Sequence, residues 1–355
     1  MNGRRSALAA PLLLALAACS GTESPGTFCP TAGDQGPALA AGEPYLLVAH
    51  SLSENWVAAP LTGSDPAPLP GAGLTGRSPN DIDGVGDRIY VTNSGDNTVS
   101  VIDPATGRTT GCIDLGAGSN PWLFAVDPVD STRAWMTTFL SGEIVELDLT
   151  RSRVRRRQGV APGLEGLLVD STTVWVTLTG FEGTEGSFGD GFVIGLDRST
   201  LAERFRHPVP TNPQFLVRGA DDRIHVISSG NFDPSPSGIP GAVVRIEADG
   251  SAVLDTLTLG GSPARAVLAP DGRIFLAAFF GGVMAYDSAT LSPLHDAGNP
   301  ISAETGFSDV TIAGGRLYAA NFDLDAILVV DLQSDQIVDD FLVRDGPIAL
   351  ASAPR

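Results

Sequence analysis

Asn80-Asp81, Glu165-Gly166, Gln214-Phe215 and Ser308-Asp309 fall at matched places in a chain that otherwise carries few chemistry-bearing groups. Three carboxylates and two amides gathered at one spot would suit a hard cation such as calcium, which prefers a shell of about six to eight oxygens. Asn80, Asp81, Glu165 and Asp309 are therefore the candidate metal ligands. Calcium is the one cofactor considered, and none is otherwise expected. The competing reading is a polar channel in which Arg265 neutralises one of the carboxylates. A second set is aromatic: Phe139, Phe181, Phe232, Phe280 and Phe322 follow equivalent strands in five consecutive units. Together they would form an arc on one face that receives a protein or small ligand. The alternative is that each ring packs between its neighbours.

Other catalytic groupings are missing. The sequence contains no Gly-x-Ser-x-Gly elbow, Walker loop, His-Glu-x-x-His helix or Cys-x-x-Cys-His haem site, so no catalytic residue is named. The four histidines, His50, His207, His225 and His295, lie in different units without ligand spacing, and His225 reads as an imidazole packed in a strand. Arg151, Arg153, Arg155, Arg156 and Arg157 form the one basic run, expected as a solvated strand edge that discourages pairing. The formal net charge of −19, with arginine as the sole basic residue, argues against nucleic acid as a partner.

What must position these residues is a repeat. Arg88-Ile89-Tyr90-Val91, Arg133-Ala134-Trp135-Met136, Thr173-Val174-Trp175-Val176, Arg223-Ile224-His225-Val226, Arg273-Ile274-Phe275-Leu276 and Arg316-Leu317-Tyr318-Ala319 share one pattern. Each follows a short apolar strand and precedes a strand ending in an acid: Asp103, Asp148, Asp197, Glu247, Asp287 and Asp331. Four strands in roughly 45 residues is the period of a propeller blade. Six units run from about Ser78 to Val343. The remaining ends, Gly346 to Leu350 and Tyr45 to Ala58, supply the opening, second and third strands of a seventh, with an outer strand expected at Ala67 to Leu69. The fold expected is all-β: a seven-bladed β-propeller of four-stranded antiparallel blades, closed by N- and C-terminal strands sharing one blade. In such a ring the first strand of each blade lines the channel. The longest loops between second and third strands, residues 180–190 and 230–240, should stand side by side on one rim.

Tyr90-Val91-Thr92-Asn93 with Asn97-Thr98-Val99-Ser100-Val101-Ile102-Asp103 resembles the repeat of YVTN-type, YncE-like propellers, a likeness that implies the fold over residues 44–355 and says little about activity. Pro79-Asn80-Asp81 and Glu165-Gly166 also resemble metal-ligand positions of calcium-dependent propeller lactonases, which implies a hydrolase as the alternative to a binding or scaffolding module.

The N-terminus reads as an address. Arg4-Arg5, the apolar run Leu8 to Leu16 and Leu16-Ala17-Ala18-Cys19 resemble a bacterial lipoprotein signal, with residues 1–18 removed and Cys19 lipidated. Several acyl chains hold a protein on a membrane. Ser20 after the cysteine favours the outer membrane by the same resemblance, so the expected location is the cell envelope. Residues 19–43, rich in Gly, Ala, Pro, Thr and Ser, read as a flexible tether. Cys29 and Cys112 remain in the exported chain, either bridged or as two free thiols.

Overall fold

The computed structural model describes residues 29, 35–62, 66–183 and 187–353. The leader and Cys19 lie outside the described residues. Seven four-stranded antiparallel sheets form the molecule. Blades one to six occupy residues 79–114, 121–159, 164–209, 213–258, 263–295 and 307–342. Blade seven orders Pro347–Ala353, Tyr45–His50, Asn55–Pro60 and Gly73–Leu74. Its seam is a ladder from Tyr45 opposite Ala353 to His50 opposite Pro347, so the two chain ends close the ring by ordinary pairing.

The repeated residues explain the blades. β-Branched and aromatic residues fill the second and third strands, which are buried on both faces because each sheet is sandwiched by its neighbours. Trp56, Trp135 and Trp175 are fully buried. Clusters such as Val217, Ile227, Val243, Leu276, Met284 and Tyr286 bridge adjacent blades. The aspartate ending the third strand in blades one, two, three, five and six closes the next turn. Asp103 accepts from the Ala105 amide at 2.9 Å, Asp197 from Thr200 at 2.9 Å, Asp287 from Thr290 at 2.8 Å and Asp331 from Ser334 at 2.9 Å. A carboxylate hydrogen-bonding the backbone two or three residues on is an Asx turn, which tightens the outer hairpin.

Two expectations about the closing blade and the tether need correction. The outer strand of blade seven is Gly73–Leu74, not Ala67 to Leu69. Pro66 and Pro70 flank that stretch, Pro68 lies within it, and none has an amide proton, so Leu69 contributes one hydrogen bond, to Ala58 O at 2.7 Å, and no ladder forms. Residues 35–43, expected as spacer, lie against the ring: Gly36 N donates to Gly107 O at 2.8 Å and Leu39 N to Pro104 O at 2.8 Å. Gly36 has to be glycine, since a Cβ there would sit 2.7 Å from the Trp56 ring. Cys29 is bridged to Cys112 with 5.8 Å between Cα atoms, closing 83 residues of sequence. In the chain-entropy account a loop of that size contributes about 4.5 kcal/mol.

The arginine run is only half a solvated edge. Arg151, Arg153 and Arg155 are exposed. Arg156 turns to blade three, donating to Ser199 O at 2.7 Å and Arg198 O at 3.0 Å, and lies 5.5 Å from the Trp135 ring. Arg157 reaches back to Leu115 O of blade one at 2.6 Å. Their guanidiniums cement three blades together.

Candidate functional site at the channel mouth

The inner strands share an irregularity that no periodicity announces. In every blade the pairing with the second strand slips just after the first residue: between Pro79 and Asp81, Pro121 and Phe124, Leu164 and Leu167, Pro213 and Phe215, Pro263 and Arg265, Phe307 and Asp309, and at Pro347 in the closing blade. Such a bulge leaves a residue outside the ladder and re-aims its side chain. The released residues include Asn80, Trp122, Glu165, Gln214, Ala264, Ser308 and Ile348, and all seven line one cavity of about 60 Å³ on the loop face. Phe232, Phe279, Phe307 and Arg265 complete its wall. Local bonds hold the bulges: Thr177 Oγ1 accepts from Gly166 N at 2.7 Å, and Thr137 Oγ1 donates to Glu165 O at 2.7 Å.

The four candidate metal ligands separate into two groups. Asp81 and Asp309 tie adjacent blades together, accepting from Phe124 N at 2.9 Å and Leu350 N at 2.8 Å. Arg265 crosses the channel from blade five, 3.4 Å from Asp81 Oδ1 and 3.0 Å from the Asn80 carbonyl, with its guanidinium 5.5 Å from the Phe215 ring centre. It lines both the mouth cavity and a second cavity of about 360 Å³ on the far side, so it partitions the channel. Asn80 donates to Ser94. A cation shell does not fit here. The aspartates spend oxygens on backbone amides, a guanidinium lies against Asp81, and among the described residues no group of three or more His, Cys, Asp or Glu side chains is placed to hold a metal.

Glu165 stands apart. It is fully buried, and neither carboxyl oxygen meets a hydrogen-bond donor at good geometry. Burial pushes its pKa up to about 8, outweighing the opposing effects of Arg265 and the Gln214 amide. Burial likewise raises Asp309 to about 6, against Arg265 and two backbone amides.

The phenylalanines also divide. Phe139 and Phe322 are buried and pack between blades, whereas Phe181, Phe232 and Phe280 are half-buried on the loop face. A ladder of tilted rings runs from Trp122 to Phe139 and on to Phe181, each 5.5 Å apart, then to Phe188 at 6.0 Å and Phe232 at 6.3 Å. It begins and ends at residues lining the mouth cavity. The two long loops supply its far half. An isolated bridge pairs Phe181 with Phe188, and Asn231 Oδ1 accepts from Ile239 N at 2.8 Å to close residues 230–240. Phe232 holds φ at +55°, a left-handed backbone that is costly for a bulky residue and fixes where its ring points. Phe188, Phe279 and Phe307 were missed as site residues. Phe307 stands where five of the other six inner strands, in blades one, two, four, five and seven, open with proline, and that substitution was the available signal.

His225 is the packed imidazole expected. Tyr286 Oη lies 2.9 Å from its Nδ1 and Asp221 3.3 Å from its Nε2, while burial lowers its pKa and keeps it neutral.

No protein-family model matches this chain. A PE-PGRS family protein of Mycobacterium tuberculosis, PE_PGRS18, is 53% identical over 60 residues, which is 16% of this chain and 13% of that protein. Among solved structures, a Bacteroides fragilis protein described as a 6-phosphogluconolactonase superposes with a TM-score of 0.66 at 15% identity, over 90% of this chain and 100% of that one. A streptogramin B lyase gives 0.57 at 13% over 76% and 86%. The computationally designed Ika8 protein gives 0.60 at 12% over 93% and 94%. At these identities the likeness shows the propeller fold alone.

Proposed function

We propose that this chain is a binding or scaffolding module of the bacterial cell envelope, exported and lipid-anchored at Cys19, that takes its partner on the loop face at the channel mouth. The observation that carries this reading is the aromatic ladder from Trp122 to Phe232, built on two long, internally bonded loops and bordering a cavity with an unpartnered acid. Rigid rings on a closed scaffold lose little entropy on association. The leader and the Leu16 to Cys19 motif support the anchor and an outer-membrane location, and residues 90–93 with 97–103 support kinship with YncE-like propellers. The metal-dependent, lactonase-like alternative retains the likeness of Pro79-Asn80-Asp81 and Glu165-Gly166 to lactonase ligand positions, but Asp81 and Asp309 already accept from backbone amides of neighbouring blades. The nearby hydroxyls of Ser94, Ser229 and Ser308 all donate to backbone carbonyls of the next blade, leaving none poised as a nucleophile.

The test places a photoreactive amino acid at position 232, 181 or, as control, at the exposed outer-strand position 338, in envelopes carrying the anchored chain. Adducts from 232 and 181 but not 338 are expected. Equal labelling at all three, or none, overturns the reading. Palmitate labelling lost in Cys19→Ala checks the anchor.

A further inference from the structure

We propose that the mouth cavity is a receptor for a primary alkylammonium group, with Glu165 as its counter-ion and Trp122 and Phe232 as its aromatic walls. The inference rests on the binding-module reading and names the chemistry of what is bound. A fully buried carboxyl that has only the Gln214 amide nearby, and that outside good hydrogen-bond geometry, has an unmet demand for donors. It lines a cavity whose other walls are largely the rings of Trp122, Phe232, Phe279 and Phe307. Donors on a positive charge satisfy the carboxylate, and π faces favour the same cation. An ammonium carries three donors. It can address both Glu165 oxygens while its first methylenes lie on the rings.

Size narrows the class. A cavity of about 60 Å³ holds a small head group with one or two methylenes. That volume disfavours a bulky quaternary ammonium and leaves a longer alkyl chain to follow the ring ladder outward. Glu165 and Arg265 are the titratable side chains lining the cavity, and Asp309 and Asp81 face Arg265 from behind. Arg265 is drawn toward Asp81 and the Asn80 carbonyl, and the two aspartates offset its charge.

Occupancy then becomes linked to protons. With Glu165 titrating at about 8 in the free protein, an ammonium arriving at neutral pH must displace the carboxyl proton. Affinity rises with pH up to about 8 and levels off until the amine itself titrates near pH 10.

The experiment is calorimetric titration of the full chain with butylammonium chloride at pH 6.5, 7.5 and 8.5, in two buffers of different ionisation heat, with 1-butanol as the neutral isostere. Expected are about a tenfold gain in affinity per pH unit below 8 and close to one proton released per ligand at pH 6.5. Glu165→Gln, confirmed folded by its circular dichroism and melting curve, should bind at least tenfold more weakly at pH 8.5 and lose the pH dependence. Trp122→Leu should weaken binding and keep the slope. Undetectable binding, pH-independent binding, equal affinity for 1-butanol, or undiminished binding by Glu165→Gln overturns the inference. A lysyl peptide with blocked termini, binding at least tenfold tighter than butylammonium in a Phe181-dependent way, identifies a protein lysine as the source. Equal affinity identifies a free amine. Cross-linking at position 232 that persists without ammonium binding would leave the binding-module reading standing.

Discussion

The two faces of the ring treat buried acids in opposite ways. Where the inner strands end, each acid is met. Asp127 accepts from Trp135 Nε1 at 3.1 Å and from Arg198 of blade three at 2.8 and 2.6 Å. Asp170 repeats the scheme with Trp175 at 2.9 Å and Arg218 of blade four at 3.0 Å, and Asp221 does so with His225 and Arg245. Burial would raise Asp127, but Arg198, the Val129 amide and Trp135 outweigh it and hold the acid at about 2. Where the inner strands begin, Glu165 is more deeply buried and is met by nothing comparable. A propeller evidently can satisfy its acids, since it does so three times on one face. The exception on the other face marks a place shaped for something other than stability.

Replacing the odd acid should therefore stabilise the protein. The folded pKa of Glu165, about 8, lies above its ordinary 4.5, so between those values the unfolded chain binds fewer protons and stability falls as pH rises. Glu165→Gln should match the parent near pH 4.5 and exceed it by about 4 kcal/mol at pH 8, read from urea midpoints. A gap that did not widen with pH would remove the contrast between the faces. Asp127→Asn should act in reverse, costing about 3 kcal/mol by leaving Arg198 and Trp135 poorly matched. A loss under 1 kcal/mol in the same assay would show that the far-face pairs are dispensable.

The ring residues sharpen the comparison further. Phe322→Ser should cost about 3 kcal/mol because that side chain is core, whereas Phe232→Ser should cost under about 1 kcal/mol because its ring lies at the mouth. Equal melting shifts would place both in the core. A loss that depends on pH is expected of Arg265→Met. Without the guanidinium, burial raises Asp309 further above its present value of about 6, so the loss should be slight at pH 5 and grow to about 1–2 kcal/mol at pH 8. A pH-independent loss would mean that Arg265 acts through packing on Phe215 alone.

Much of the architecture was legible because it repeats. Tyr90, Trp135, Trp175, His225, Phe275 and Tyr318 occupy equivalent strand positions, and the terminal strands completed the count of seven. The channel-facing set Asn80, Trp122, Glu165, Gln214, Ala264, Ser308 and Ile348 was also within reach, since alignment to the repeat marks those positions. What alignment could not supply was their surroundings. Asp81 and Asp309 looked equivalent to Glu165 as oxygen donors, yet backbone amides of neighbouring blades claim the first two and leave the third alone. Five phenylalanines looked like one arc, yet Phe322 is packed in the core, Phe139 is a buried link of the ladder, and Phe188, from within a long loop, extends it.

The chain alone therefore determined the blade, its number and its seam, because strand periodicity and turn chemistry are local and recur every few tens of residues. Only the closed ring decided which acid keeps a partner and which aromatic ring faces solvent. Those outcomes depend on what the next blade presents across a gap of a few ångströms, a contact between residues 40 or more positions apart that no single repeat encodes.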